Sequence, residues 1–236
     1  MKPVDKGAYV CDLKDYKDAK PELLARLGPF CSYCEGPGLP QQLHVEHIYA
    51  KIDSAHPSLS KCWHNFLLAC STCNTYKSKH LGNGRQFQLL KHFLWPHIDN
   101  TFDAFQYERD GRVTPSPGLP AAVAALAQAT CDMVGLLRSP AVAADYEESG
   151  IAYDGVSMRN EAWGIAEHAL TAYVENPSPA QLDAVCDTCA KTGHFSVWME
   201  VFRDHVDVKR ALIAKCKAAP ACFDPATCSP IRRGRC

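Results

Sequence analysis

Two segments of the sequence decide the fold: CSYCEGPGLPQQLHVEHIYA at residues 31–50 and HNFLLACSTCNTYKSKH at residues 64–80. Each contains a Cys-x2-Cys pair, and the four thiols belong to Cys31, Cys34, Cys70 and Cys73. One such pair presents two thiolates from a tight turn, and two pairs supply the four ligands of a closed tetrahedral zinc site. The spacing predicts a structural Zn²⁺ that stabilises the fold without taking part in catalysis. Buried or redox-active dithiols are the alternative.

Length and cysteine content bound the class of protein. The chain of 236 residues contains 13 cysteines, so at least one lies outside any intramolecular disulfide. Its first residues lack the apolar segment of a secretory signal, and its apolar stretches are shorter than the roughly 20 residues of a membrane-spanning helix. We therefore expect a cytoplasmic protein with no membrane partner, in which close cysteine pairs bind metal more often than they form disulfides.

Charge is distributed unevenly, although the formal net charge is only -1. Residues 47–98 contain six Lys or Arg against one Asp, whereas residues 100–200 contain five against fourteen Asp or Glu. The net charge excludes a uniformly basic polyanion binder, and the basic segment predicts a local phosphate-binding face beside an acidic body. Solvated surface charge is the alternative. The candidates for nucleic-acid contact are Lys51, Lys77 and Lys79.

A carboxylate and a histidine stand between the cysteine pairs. The alternating stretch LHVEHIY at residues 43–49 predicts a short strand that carries Glu46 and His47. Asn65 precedes the apolar run of the second segment, and Asn74 follows the second cysteine pair where a helix is expected to begin. The order along the chain is thus cysteine pair, strand with Glu-His, turn with Asn, cysteine pair, and helix start with Asn.

With these residues in this order, the segment from Cys31 to about His80 resembles the HNH nucleases. The resemblance implies a ββα-metal (HNH) core. With the four-cysteine zinc site predicted from the spacing and the helical pattern of the later residues, the expected fold class is α+β, with this core followed by a mainly α-helical C-terminal domain. His47 matches the first His of the signature, Asn65 the central Asn, and Asn74 the last position, which is Asn in many members. By this pattern Asn65 holds the loop that orients His47.

The same residues suit the hydrolysis of a phosphodiester. His47 is the best general base available, because histidine ordinarily titrates near about pH 6.5. Glu46 and Asn74 offer the hard oxygen ligands that Mg²⁺ or Mn²⁺ prefers, and the sequence does not choose between these ions. By the family pattern Lys77 contacts phosphate. We therefore predict a metal-dependent endonuclease acting on DNA, with His47, Asn65 and Asn74 as the catalytic residues.

Three segments are expected along the chain. Residues 1–27 form a helical lead-in, residues 28–115 the nuclease domain, and residues 116–236 a helical domain that could dock a partner. The apolar spacing beyond the Pro-rich stretch at 114–118 predicts five helices, from Pro120 to Lys217. A third Cys-x2-Cys pair, Cys186 with Cys189, falls within one of them. It could bind a second zinc, but its spacing also places two small side chains on one helix face, and we favour that interpretation.

A wider resemblance covers most of the chain on weaker motifs. The chain is similar to the HNH nuclease subunits of Septu-type and retron-type antiphage defence systems, which are encoded beside an ATPase. The matching stretches are CSYCE at 31–35, VEH at 45–47, LWP at 94–96, DNTF at 99–102 and GHFSVWM at 193–199. This resemblance implies an ATPase partner. Two alternatives stay open: a stand-alone restriction or mobile-element nuclease, and a zinc-stapled module that binds nucleic acid without cutting it.

Overall fold

A two-stranded antiparallel sheet and the helix that follows it form the centre of the N-terminal part. Strand β1 (Leu43–His47) pairs with strand β2 (Phe66–Cys70), so that His47 lies opposite Phe66. The residues FLLA of β2 are all buried, which is typical of a strand covered on both faces. Helix α2 (Ser71–Leu81) begins directly after β2. The predicted ββα order is confirmed.

The computed structural model describes residues 1–9, 13–50, 57–81, 89–138, 154–232 and 234. The other α-helices described before residue 135 are α1 (Lys20–Leu27), α3 (Leu89–His92), α4 (Thr101–Ala104) and α5 (Ala121–Val134). Strands β3 (Phe105–Tyr107) and β4 (Val113–Pro115) form a second antiparallel hairpin, and short 3-10 helices lie at Tyr16–Ala19, Pro57–Lys61 and Trp63–Asn65. The C-terminal part contains α6 (Gly155–Glu175), α7 (Pro179–Thr192), α8 (Phe195–Val201) and α9 (Val206–Lys215). Short strands near the cysteine pairs and a helical C-terminal part confirm the α+β class. No helix among the described residues has both the length and the apolar character needed to cross a membrane.

Buried apolar side chains form two groups. The first surrounds the ββα unit and includes Leu23 of α1, Trp95, and Met133 of α5. The second lies among helices α6 to α9 and includes Trp198 and Leu212. Because α1 contributes to the first group, the lead-in segment is part of the core around the hairpin.

The start of the helical part lies against the ββα unit. Helix α5 packs on α2, and the Arg138 guanidinium stacks over the Tyr76 ring at 4.4 Å from its centroid. The predicted division at residues 27 and 115 stays a prediction, and the first core contains side chains from all three predicted segments.

Glu35, directly after the first cysteine pair, joins the ββα unit to α8. Its side chain is buried and accepts hydrogen bonds from the Ser196 backbone N–H (2.7 Å), the Ser196 hydroxyl (2.6 Å) and the Tyr107 hydroxyl (3.2 Å). The Met1 amine lies 3.3 Å from the same carboxylate. Burial alone would raise the pKa of Glu35, but the Met1 ammonium and the Ser196 donors outweigh it and hold that pKa below its ordinary value.

Glu35→Ala should lower the free energy of unfolding by about 3 kcal/mol, because it leaves buried donors without their charged acceptor. Urea denaturation at neutral pH measures the change. The matched control is Glu22→Ala, which removes a half-exposed pair with Arg26 on α1 and should cost less than about 0.5 kcal/mol. Because the folded-state pKa of Glu35 is below its unfolded-state pKa, the ionised carboxylate stabilises the fold at pH values above the unfolded-state pKa. This contribution is lost as the pH falls through the folded-state pKa, so the difference in unfolding free energy between parent and Glu35→Ala should narrow in acid. Equal stability of parent and Glu35→Ala at neutral pH would contradict this role.

Candidate metal centre and active site

The two cysteine pairs converge on one point. The ligand atoms of Cys31, Cys34, Cys70 and Cys73 all lie within 4.8 Å of one another, and the Cys34 and Cys70 sulfurs are 3.9 Å apart. Sulfurs in a tetrahedral zinc site with Zn–S bonds of about 2.3 Å are separated by about 3.8 Å. The cluster can therefore hold a metal ion such as zinc, as the spacing predicted.

Backbone hydrogen bonds place both pairs. The first pair sits in a turn closed by the Glu35 N–H, which donates to the Cys31 carbonyl at 3.0 Å. The Ser32 N–H donates to the Leu68 carbonyl of β2 at 2.8 Å and so attaches this turn to the hairpin. The second pair spans the junction from β2 to α2, where the Cys73 N–H lies 3.5 Å from the Cys70 sulfur. A metal at this point would join the turn, the sheet and the helix.

Cys34→Ser should abolish stoichiometric zinc binding and lower the unfolding temperature by about 10 °C, because a structural metal contributes directly to folding free energy. Metal content by mass spectrometry and a thermal melt measure the two effects. Cys131→Ser is the control, since Cys131 is equally buried but lies outside the cluster. Retention of a full equivalent of zinc by Cys34→Ser would contradict the four-thiolate site.

His47 stands at the end of β1 with its ring held on several sides. The ring packs edge-on against Phe66 of β2 at 5.0 Å between centroids, and against Tyr16 at 4.9 Å. Its Nε2 lies 3.0 Å from the Ser60 carbonyl oxygen. Because a carbonyl only accepts, Nε2 carries the hydrogen in the neutral ring and the basic lone pair is at Nδ1. A neutral imidazole in this tautomer is suited to act as a base.

Asn65 fixes the two residues that follow His47. Its side-chain oxygen accepts from the Tyr49 N–H at 2.8 Å, and its side-chain nitrogen donates to the carbonyls of Tyr49 (2.9 Å) and Leu59 (3.0 Å). The Asn65 backbone carbonyl accepts from the Ile48 N–H at 2.9 Å. These bonds are the kind of loop attachment that the sequence predicted for Asn65, while its part in catalysis stays a prediction.

Glu46 is held inside the ββα unit. Its side chain is 1% exposed, and one carboxylate oxygen accepts from the Tyr33 hydroxyl at 2.9 Å. The other oxygen lies 2.5 Å from Lys77 Nζ, which also donates to the His47 carbonyl at 2.5 Å. Burial raises the pKa of Tyr33 well above its ordinary value, so this phenol stays protonated and donates. The predicted metal ligand is thus paired with an ammonium and a phenol in this structure.

The other predicted residues lie on α2 or outside the described residues. Asn74 is half-buried, one turn before Lys77 on the same face of α2. Lys77 is 4% exposed and directed at Glu46, so contact with a phosphate would require its ammonium to move. Lys79 is exposed on the same helix. Lys51 lies outside the described residues. The roles of Glu46, Asn74, Lys77, Lys79 and Lys51 stay predictions.

Sequence reasoning missed three side chains that position the site. Lys6 extends its ammonium to the carbonyls of Trp63 (3.1 Å), His64 (2.7 Å) and Phe66 (2.8 Å), and so holds the segment that carries Asn65. Tyr33 and Tyr16 contact Glu46 and His47 as described above. No local signal distinguishes Lys6, because its partners are carbonyls 57 to 60 residues away. Tyr33 lies between the two cysteines of the first pair and could have been considered.

Among the described residues, no group of metal ligands forms around the third cysteine pair. Cys189 lies with its sulfur 3.4 Å from the sulfur of Cys216, at the end of α9. In the part of the chain that the structure describes, only the four cysteines of the first site group as metal ligands. The helix-face interpretation of Cys186 and Cys189 agrees with their burial on α7.

Comparison with protein families agrees with the geometry. Residues 31–80 match the family model for HNH endonucleases. This match covers both cysteine pairs, the hairpin and α2, and it supports nuclease activity, action on DNA and use of a divalent metal ion. A search of curated proteins found no match to the chain.

Proposed function

We propose that this chain is a metal-dependent HNH endonuclease that hydrolyses phosphodiester bonds in DNA. The observation that carries the proposal is the placement of His47 at the end of β1, between the buried Glu46 and a loop that Asn65 holds, within the segment that matches the HNH family. The four-cysteine cluster supports this unit at the other end of the hairpin from His47, where Leu43 pairs with Cys70. DNA is the substrate because HNH nucleases act on DNA.

The oxygen donors near Glu46 are of the kind that binds a divalent cation. A Glu46 carboxylate oxygen and the His47 carbonyl oxygen both face the point that Lys77 Nζ occupies. Asn74 lies one helical turn before Lys77 on α2. Hard oxygen donors of this kind favour Mg²⁺ or Mn²⁺ over softer metals. Glu46 and Asn74 would hold the ion, which supplies charge stabilisation for the phosphate and the leaving oxygen.

The protein residues then perform the remaining steps. His47 accepts the proton of the attacking water at Nδ1, because Nε2 is engaged with the Ser60 carbonyl. Asn65 keeps the residues after His47 in place, so the imidazole does not have to be ordered at the moment of attack. Exposed Lys79, and Lys51 beyond β1, add positive charge that attracts the phosphate backbone. As the resemblance to HNH nucleases implies, the products would carry 5′-phosphate ends.

His47→Ala should lower the rate of plasmid cleavage by about 100-fold or more, because a positioned general base contributes at least that factor. The assay uses purified chain with Mg²⁺ or Mn²⁺, and the cation is left out in a parallel reaction. His168→Ala is the matched control, since His168 is exposed on α6.

The possible results separate the alternatives. Equal cleavage by parent and His47→Ala would show that the assigned base is wrong. DNA binding by the parent without cleavage, with every cation tested, would favour a non-catalytic zinc-stapled module. Site-specific cleavage by the chain alone would favour a stand-alone restriction or mobile-element nuclease.

We further propose that the chain is the effector nuclease of a cytoplasmic antiphage complex with an ATPase. The support is the resemblance of the short motifs quoted above to those of Septu-type and retron-type subunits, together with the excess of acidic residues between positions 100 and 200, which a basic partner surface would complement. Residues 116–236 would then supply the docking surface.

Coexpression with an ATPase encoded next to this chain should give one complex that elutes ahead of either protein in size-exclusion chromatography. Both proteins should appear in the complex in a fixed ratio. Raising the salt concentration should weaken the complex, because charge complementarity between exposed groups is screened. Separate elution of the two proteins at low salt would contradict the partnership and favour a solitary nuclease.

A further inference from the structure

Glu46 and Lys77 form a buried ion pair at the place where a divalent ion is proposed. The two side chains are 1% and 5% exposed. Placing an isolated carboxylate in such an environment is strongly unfavourable, so Glu46 requires a cation beside it. The Lys77 ammonium supplies that charge.

The position of the ammonium resembles that of a metal ion between hard ligands. Lys77 Nζ lies 2.5 Å from a Glu46 carboxylate oxygen and 2.5 Å from the His47 carbonyl oxygen. The Tyr33 hydroxyl donates to the second carboxylate oxygen at 2.9 Å and leaves the first to the cation. Asn74 projects from the same face of α2 as Lys77, one turn away. One carboxylate oxygen and one carbonyl thus converge on a point that a single cation fills.

We propose that Lys77 is a positioning residue that occupies the cation site of Glu46 until a divalent ion replaces it. This inference rests on the proposed nuclease function and extends it to regulation of the same site. An ammonium and a divalent ion cannot share this point, because their like charges repel strongly in a buried setting. Ion binding therefore expels the Lys77 side chain.

The exchange has two consequences for the proposed nuclease. Before the ion binds, Lys77 keeps Glu46 oriented and compensated, so the site does not have to refold around the metal. After the exchange the ammonium is released at the edge of the site, where it can contact a substrate phosphate. A lysine suits this change because its charge is a point on a flexible stem.

Amine acylation of the parent chain tests the exchange directly. Lys77 is buried, whereas Lys79 on the same helix is exposed and serves as the internal control. Mn²⁺ should raise the acylation of Lys77 relative to Lys79 about tenfold, read by peptide mass spectrometry. Mn²⁺ should have no such effect in Glu46→Gln, which lacks the charged ligand. A Lys77 that stays protected at saturating Mn²⁺ overturns the inference.

A neutral variant tests the competition. Lys77→Met keeps a side chain of similar length but removes the ammonium, so Mn²⁺ no longer has to displace a cation. Its affinity for Mn²⁺, measured by calorimetry, should be about tenfold higher than that of the parent, within the range by which neighbours of metal ligands alter affinity. Lys79→Met should bind as the parent does. An equal or lower affinity of Lys77→Met overturns the inference. If the variant does not fold, the acylation experiment decides.

These measurements do not depend on DNA cleavage. Metal-dependent cleavage with a Lys77 that stays protected would leave the nuclease function standing and overturn the exchange. Release of Lys77 by Mn²⁺ in a chain that cleaves no DNA would support the exchange while the proposed function fails.

Discussion

The convergence of four thiols on one point is the constraint on which the ββα unit depends. Cys31 and Cys34 belong to a turn, Cys70 to the end of β2, and Cys73 to the first turn of α2. Three pieces of backbone are thereby held at a separation of about one sulfur–sulfur contact. Burial raises the pKa of the Cys31 thiol well above its ordinary value. A bound cation would favour the thiolate form of these ligands.

The four-cysteine cluster also determines where the proposed catalytic groups lie. Since Leu43 pairs with Cys70 and His47 with Phe66, fixing the cysteine end of the hairpin fixes the register, and the register sets the end at which His47 emerges. The start of α2 at Ser71 then directs Lys77 towards β1, and Asn74 lies one turn earlier on the helix. A slip of one residue would exchange the faces of β1 and direct Glu46 away from Tyr33 and Lys77.

The sequence predicted those parts of the molecule that depend on local spacing. Cysteine pairs, the alternation of LHVEHIY, and the helix start after the second pair are local signals, and the structure contains the corresponding cluster, strand and helix. The helical character of the C-terminal part was likewise readable from its apolar periodicity. The contacts of Lys6, Tyr33 and Cys189 were not predicted, because each depends on which distant segments pack together. The burial of Lys77 was missed for a related reason: a charge count treats every lysine as surface.

The pairing of Glu46 with Lys77 is better explained by function than by stability. A buried ion pair seldom stabilises a fold more than well-packed apolar side chains of similar volume would, because the cost of desolvating both charges offsets their attraction. Two apolar residues at these positions could close the same core between β1 and α2. What they could not provide is a preformed carboxylate with one oxygen fixed by Tyr33 and the other directed at an exchangeable cation. The proposed exchange of Lys77 for a divalent ion accounts for these buried charges, while the four-cysteine cluster can hold the structural metal.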